Sequence, residues 1–96
     1  MKKLYDERII MREEIVKKLL QTAKNKIGKD IVDIDSELLG NDINFKPVEL
    51  AIFLKELEKE FNISFKNEDI TQGLFNNVTN IAALVEKETV LKNNNT

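Results

Sequence analysis

No cysteine and no histidine occur among the 96 residues of this chain. The first absence removes disulfides, thiolate nucleophiles and thiolate metal sites. The second removes the commonest general base and metal ligand. Tryptophan is missing too and aromatics make up only 6%, so Leu, Ile and Val must supply most of any core. No apolar run approaches the roughly 20 residues that span a bilayer. Lys2-Lys3 are followed by Tyr5-Asp6-Glu7-Arg8 rather than by the apolar stretch of a signal peptide. The expected location is the cytoplasm, with no membrane partner. Fifteen Lys and Arg against seventeen Asp and Glu give a net charge of -2. The basic excess of a nucleic-acid binder is lacking, so no nucleic-acid partner is expected.

What is present describes a small globular chain. With 42% hydrophobic and 33% charged residues, it has material for one modest core and no second one. A single domain is expected over residues 1–91, followed by a polar, disordered tail over 92–96.

The apolar spacing predicts three substantial helices, over 4–27, 47–61 and 78–87, and a shorter helical turn near 67–71. In the first, Ile15, Leu19, Ala23 and Ile27 recur four apart, with Val16 and Leu20 beside them and Lys17, Lys18, Gln21 and Lys24 opposite. Gly28 is the expected C-terminal cap, supported by Lys24 and Lys26 in the last turn. Upstream, Tyr5, Ile9 and Ile10 either continue this helix or form a separate turn. Residues 29–46 read as a long, partly ordered loop anchored by Ile31, Ile34, Leu38 and Leu39, a length usually tied to function or to buried side chains. Pro47 suits the first position of the second helix. Leu50, Leu54, Leu57 and Phe61 mark its expected buried face, and Leu54, Leu57, Phe61 and Leu84 are expected to be largely buried. Gly73 breaks the short turn. Asn77 or Thr79 can cap the last helix, whose buried stripe is Val78, Ile81, Ala82, Leu84 and Val85.

Three local stretches stand out, Leu57-Glu58-Lys59-Glu60-Phe61-Asn62-Ile63, Phe75-Asn76-Asn77-Val78 and Asp33-Ile34-Asp35, and together they resemble acyl and peptidyl carrier proteins. Leu57-Glu58-Lys59-Glu60-Phe61-Asn62-Ile63 is similar to the Leu-Glu-x-Glu-Phe-x-Ile ending of that family's second helix. Phe75-Asn76-Asn77-Val78 resembles its Ile-Thr-Thr-Val entry to the last helix, and Asp33-Ile34-Asp35 is similar to its first loop. The resemblance covers about 15–86 and implies an all-α, four-helix bundle like an acyl carrier protein, with a long loop between helices one and two. In the family an Asp-Ser-Leu or Asp-Ser-Ile triplet opens the second helix, and its serine carries phosphopantetheine. Here the triplet falls on Lys46-Pro47-Val48, so Pro47 stands at the attachment position. An alternative register sets Gly40-Asn41-Asp42-Ile43 on the Gly-x-Asp-Ser motif and puts Ile43 there. Neither residue has a hydroxyl, and Ser36 and Ser64 stand elsewhere. The resemblance therefore implies no phosphopantetheine cofactor and no enzyme activity. It is nearest to the acyl-carrier-related proteins of bacterial peptide maturation systems, and implies docking to a peptide-modifying or other biosynthetic enzyme. A functional carrier and a helical regulatory or structural subunit are the alternatives.

The docking residues expected from this resemblance are Val48, Ile52, Lys55, Glu58 and Lys59. Val48 and Ile52 are four apart and share a stripe away from the Leu50-Leu54-Leu57-Phe61 face. Either they pack beneath the 29–46 loop, or they form a small apolar patch flanked by charges, the kind of surface that marks a partner site. Asp33-Ile34-Asp35-Ser36-Glu37 has the start of a calcium loop, but its sixth position is Leu38 and its twelfth Asn44. The required glycine and bidentate glutamate are absent, so a solvated acidic loop is expected and no metal site. Glu13-Glu14 and Glu58-Glu60 read as charged helix faces.

Overall fold

A computed structural model describes residues 7–94. Among them lie four α-helices and no strand: α1 (Glu7–Thr22), α2 (Pro47–Phe61), α3 (Asn67–Thr71) and α4 (Val78–Asn94). The expected start of helix one at residue 4, the place of Tyr5 and the end of the tail at 95–96 lie outside the described residues. Ile9 and Ile10 fall within α1.

The i, i+4 row on α1 buries Ile15, Leu19 and Ala23, and the helix lies against α4. Beyond Thr22 the chain continues without a break into a π-helical segment, Ala23–Ile27, which carries the Ala23 end of that row. Gly28 then takes a left-handed φ of 81° and donates its N–H to the carbonyls of Ala23 and Lys24, at 2.9 and 3.1 Å. This is the expected cap, where a side chain would strain the backbone. Arg12 ties α1 to α4 through Glu86 at 2.6 Å.

The loop from 29 to 46 is fastened at several points. Leu38, Ile43 and Phe45 are buried. Leu38 donates its N–H to the Asn76 carbonyl at 2.8 Å, and Phe45 donates to the Leu38 carbonyl at 2.7 Å. Thr79 reaches it from the first turn of α4, its N–H to the Ile34 carbonyl at 3.1 Å and its hydroxyl to Asp35 Oδ1 at 2.6 Å. The expectation for Leu39 needs correction: it is 52% exposed. Its neighbour Leu38 takes the inward position, so Leu39 faces out; Ile31 and Ile34 pack part-buried against the core as expected, and Ile43 and Phe45 are further, buried anchors.

On α2 the centre of the buried face is Phe53 and Leu57, both fully buried. Leu50, Leu54 and Phe61 are only part-buried along its flank, which corrects the expected stripe. The cause is Phe45, whose ring meets Phe53 edge-on with centroids 5.4 Å apart and so draws that side of the helix inward. The helix ends as Asn62 adopts φ 53° and donates its N–H to the Glu58 carbonyl.

Helix α3 is held by Asp69, buried against α4 and paired with Lys87 at 3.1 Å. Phe65 and Phe75 pack edge-on beside it, with centroids 5.0 Å apart. In α4 the expected stripe Val78, Ile81, Ala82, Leu84 and Val85 is entirely buried. Asn77 Oδ1 accepts the Asn80 N–H at 2.8 Å as N-cap. The helix runs on to Asn94, past the expected end at residue 87 and into the stretch read as a polar tail.

Candidate functional site

The start of α2 is built by local rules. Pro47 opens the helix after Lys46 in an extended conformation (φ -82°, ψ 155°), and the ring stands exposed. Glu49 Oε1 accepts the Lys46 N–H at 2.8 Å, so one orphan donor of the helix start is satisfied by a side chain three residues ahead. Lys29 Nζ lies 3.2 Å from the same carboxylate and also donates to the Asn44 carbonyl. The Lys46 amide, with Lys29 beside it, holds the Glu49 carboxyl below the ordinary glutamate range. This arrangement clamps the loop to the mouth of α2.

The two attachment-equivalent positions differ in surroundings. Ile43 is 7% exposed and belongs to the core. Pro47 is open to solvent but has only ring carbons to offer. Ser36 sits part-buried in the loop, and Ser64 is exposed in the link between α2 and α3, so neither stands at a helix start.

Val48 and Ile52 are 63% and 45% exposed, so they do not pack beneath the loop. At about 100° per residue they lie about 140° around the helix from Phe53 and Leu57, and Lys55 and Lys59 continue the same row. Ala51 beside them is also exposed. Four of the five docking residues expected from sequence therefore share one solvent face. Glu58 does not join them: it is part-buried on the flank and accepts the Phe65 N–H at 2.9 Å, fastening the link to α3.

A second feature was not foreseen. Leu39, Leu50, Leu54, Ile70 and Phe75 line an apolar cleft of about 300 Å³ between the loop, α2 and the α3 region. Its residues come from segments far apart in sequence, so only the fold assembles them. In the acidic loop, Asp33 Oδ1 accepts the Asp35 N–H at 2.9 Å and Asp30 pairs with Lys24 at 3.1 Å. These carboxylates shape and solvate the turn. No described helix is long and apolar enough to cross a membrane.

Comparison with protein-family models, curated proteins and solved structures finds no match to this chain.

Proposed function

We propose that this chain is a carrier-protein-like docking module that performs no covalent chemistry and serves as accessory partner to a peptide-modifying or other biosynthetic enzyme in the cytoplasm. The observation that carries the reading is the exposed pair Val48 and Ile52 on the face of α2 turned away from Phe53 and Leu57. Exposing two branched apolar side chains in one row, beside a helix start with no hydroxyl, has a use when a protein partner covers them. The local likeness of 57–63 and 75–78 to carrier proteins supports the same reading, as does the order of two long helices around a long loop, a short helix and a last long one. A partner engages α2 near Pro47, with Val48 and Ile52 at the centre and Lys55 and Lys59 at the rim, where rim charges tune encounter and the centre holds the energy.

Intact mass after incubation with a phosphopantetheinyl transferase and coenzyme A separates this reading from that of a functional carrier. The expected mass is that of the unmodified chain. Stoichiometric gain of one phosphopantetheine arm would refute the reading and establish a working carrier.

A further inference from the structure

Between Phe65 and Leu74 the chain buries one described side chain, and it is a charged one. Asp69 is 4% exposed, while the other described side chains of 66–73 lie open to solvent, Ile70 at 52%. The N–H groups of Asp69, Ile70, Gln72, Gly73 and Leu74 all donate to carbonyls between Lys66 and Ile70. These bonds close within the segment and tie it to nothing else. A helix of five residues has no stability of its own, so α3 depends on what fastens it from outside. At its base the rings of Phe65 and Phe75 meet edge-on with centroids 5.0 Å apart. On α3 itself, Lys87 Nζ of α4 donates to both carboxylate oxygens of Asp69, at 3.1 and 3.5 Å. The Lys87 side chain is 43% exposed, so the counterion of a buried charge stands at the edge of solvent. Lys66 adds a longer contact to Glu88 at 3.9 Å. Gly73, at a left-handed φ of 72°, turns the chain out of the helix.

The same segment walls the apolar cleft, where Ile70 and Gly73 complete the lining begun by Leu39, Leu50, Leu54 and Phe75. We propose that residues 66–74 form a flap over this cleft, latched by the Asp69–Lys87 pair, and that the flap opens as a unit while the three long helices stay folded. Local opening is cheap where few apolar side chains leave the core, and no described side chain of 66–73 is a buried apolar one. The part-buried Phe65 and Leu74, packed against the core, are the ends on which it turns. Loss of the lysine charge leaves the Asp69 carboxylate buried without a counterion, and moving it into water relieves that cost. The charge on Lys87 therefore sets how long the flap stays shut. This device is independent of the docking face on the outward side of α2.

Native-state hydrogen exchange on the full chain reads the flap directly. In the wild type the amides of 69–74 should exchange with little dependence on dilute urea, because their opening exposes little surface, while those of α1, α2 and α4 follow global unfolding. Lys87→Met should raise exchange across 69–74 at least about tenfold and leave α1 and α2 unchanged. Lys87→Arg keeps the charge and should stay near the wild type. Cover of the cleft has its own readout. The chain has no cysteine, so Leu54→Cys places a single thiol in the cleft wall. A bulky maleimide should label it at least about tenfold faster in the Lys87→Met background. Circular dichroism confirms that each variant is folded, and Lys87→Gln replaces Lys87→Met where that variant is not. Unchanged exchange at 69–74 in the folded neutral variant would overturn the proposal, as would a rise shared by all helices or an equal rise in Lys87→Arg. Faster exchange with unchanged labelling would show that the segment does not cover the cleft. Failure of both neutral variants to fold, or strong urea dependence at 69–74 in the wild type, would make the ion pair part of the global fold and overturn it as well.

Discussion

Replacing Phe53 with alanine should destabilise the domain far more than replacing Leu54, although the two residues are neighbours and both apolar. Phe53 is fully buried, and its ring stands edge-on to that of Phe45 at 5.4 Å. Truncation removes the whole ring from a closed site between the loop and α2, so it leaves a void and strips Phe45 of its partner; the expected cost is about 3–5 kcal/mol. Leu54 is part-buried and lines the open apolar cleft, so its truncation widens a space that solvent already reaches. Its cost should be about 1–2 kcal/mol, below the usual range for an enclosed leucine. A domain of this size has only about 5–14 kcal/mol in total, so Phe53→Ala should shift the urea midpoint by a large fraction and Leu54→Ala modestly. Urea unfolding followed by circular dichroism, with equal m-values as the two-state check, measures both. Equal costs, or a larger cost at Leu54, would show that the buried face of α2 is centred elsewhere.

Three further outcomes follow from the same geometry. Asn77→Ala removes the N-cap of α4 and the contact of its amide with the Asp35 carbonyl; a loss of about 1 kcal/mol in urea unfolding is expected. Glu49 has its folded pKa lowered by the Lys46 amide and by Lys29, so its contribution is complete above the ordinary glutamate range and is lost as pH falls through the lowered value. The stability gap between the wild type and Glu49→Gln should therefore narrow as pH falls through and below the ordinary glutamate range, and a constant gap would remove Glu49 from the pH response. Ile52→Ser, which trims an exposed side chain, should leave thermal unfolding within about 0.5 kcal/mol of wild type.

How much of this was legible in the chain depends on how many readings each segment allowed. Helix α4 offered one: Val78, Ile81, Ala82, Leu84 and Val85 form a single stripe behind a capping asparagine, and all five are buried. Gly28 was equally readable, because a glycine after a periodic run and two lysines suits only a helix end. Helix α2 offered two, since Leu50-Leu54-Leu57-Phe61 and Phe53-Leu57 are both helical rows. The choice between them is made by Phe45, which sits in a loop and leaves no periodic trace. The alternation of Ile43 and Phe45 about Asn44 could have identified these anchors, but polar neighbours masked it. Helix α4 outran its expected end because helix-favouring Lys, Glu and Leu continue after Lys87 although Val90 and Leu91 are exposed. The exposure of Val48 and Ile52 turned on where the loop lies, which spacing alone does not specify, and the cleft depends on contacts between distant segments.

The docking reading meets its most direct test in a titration of the wild-type chain and Ile52→Asp against the enzymes encoded beside it, with circular dichroism of both proteins run in parallel. An exposed position tolerates the carboxylate, so the variant should fold as the wild type does, while its affinity for the cognate enzyme falls about tenfold or more. Unfolding of the variant would place Ile52 in the core, and unchanged affinity in a folded variant would place the docking face elsewhere on the molecule.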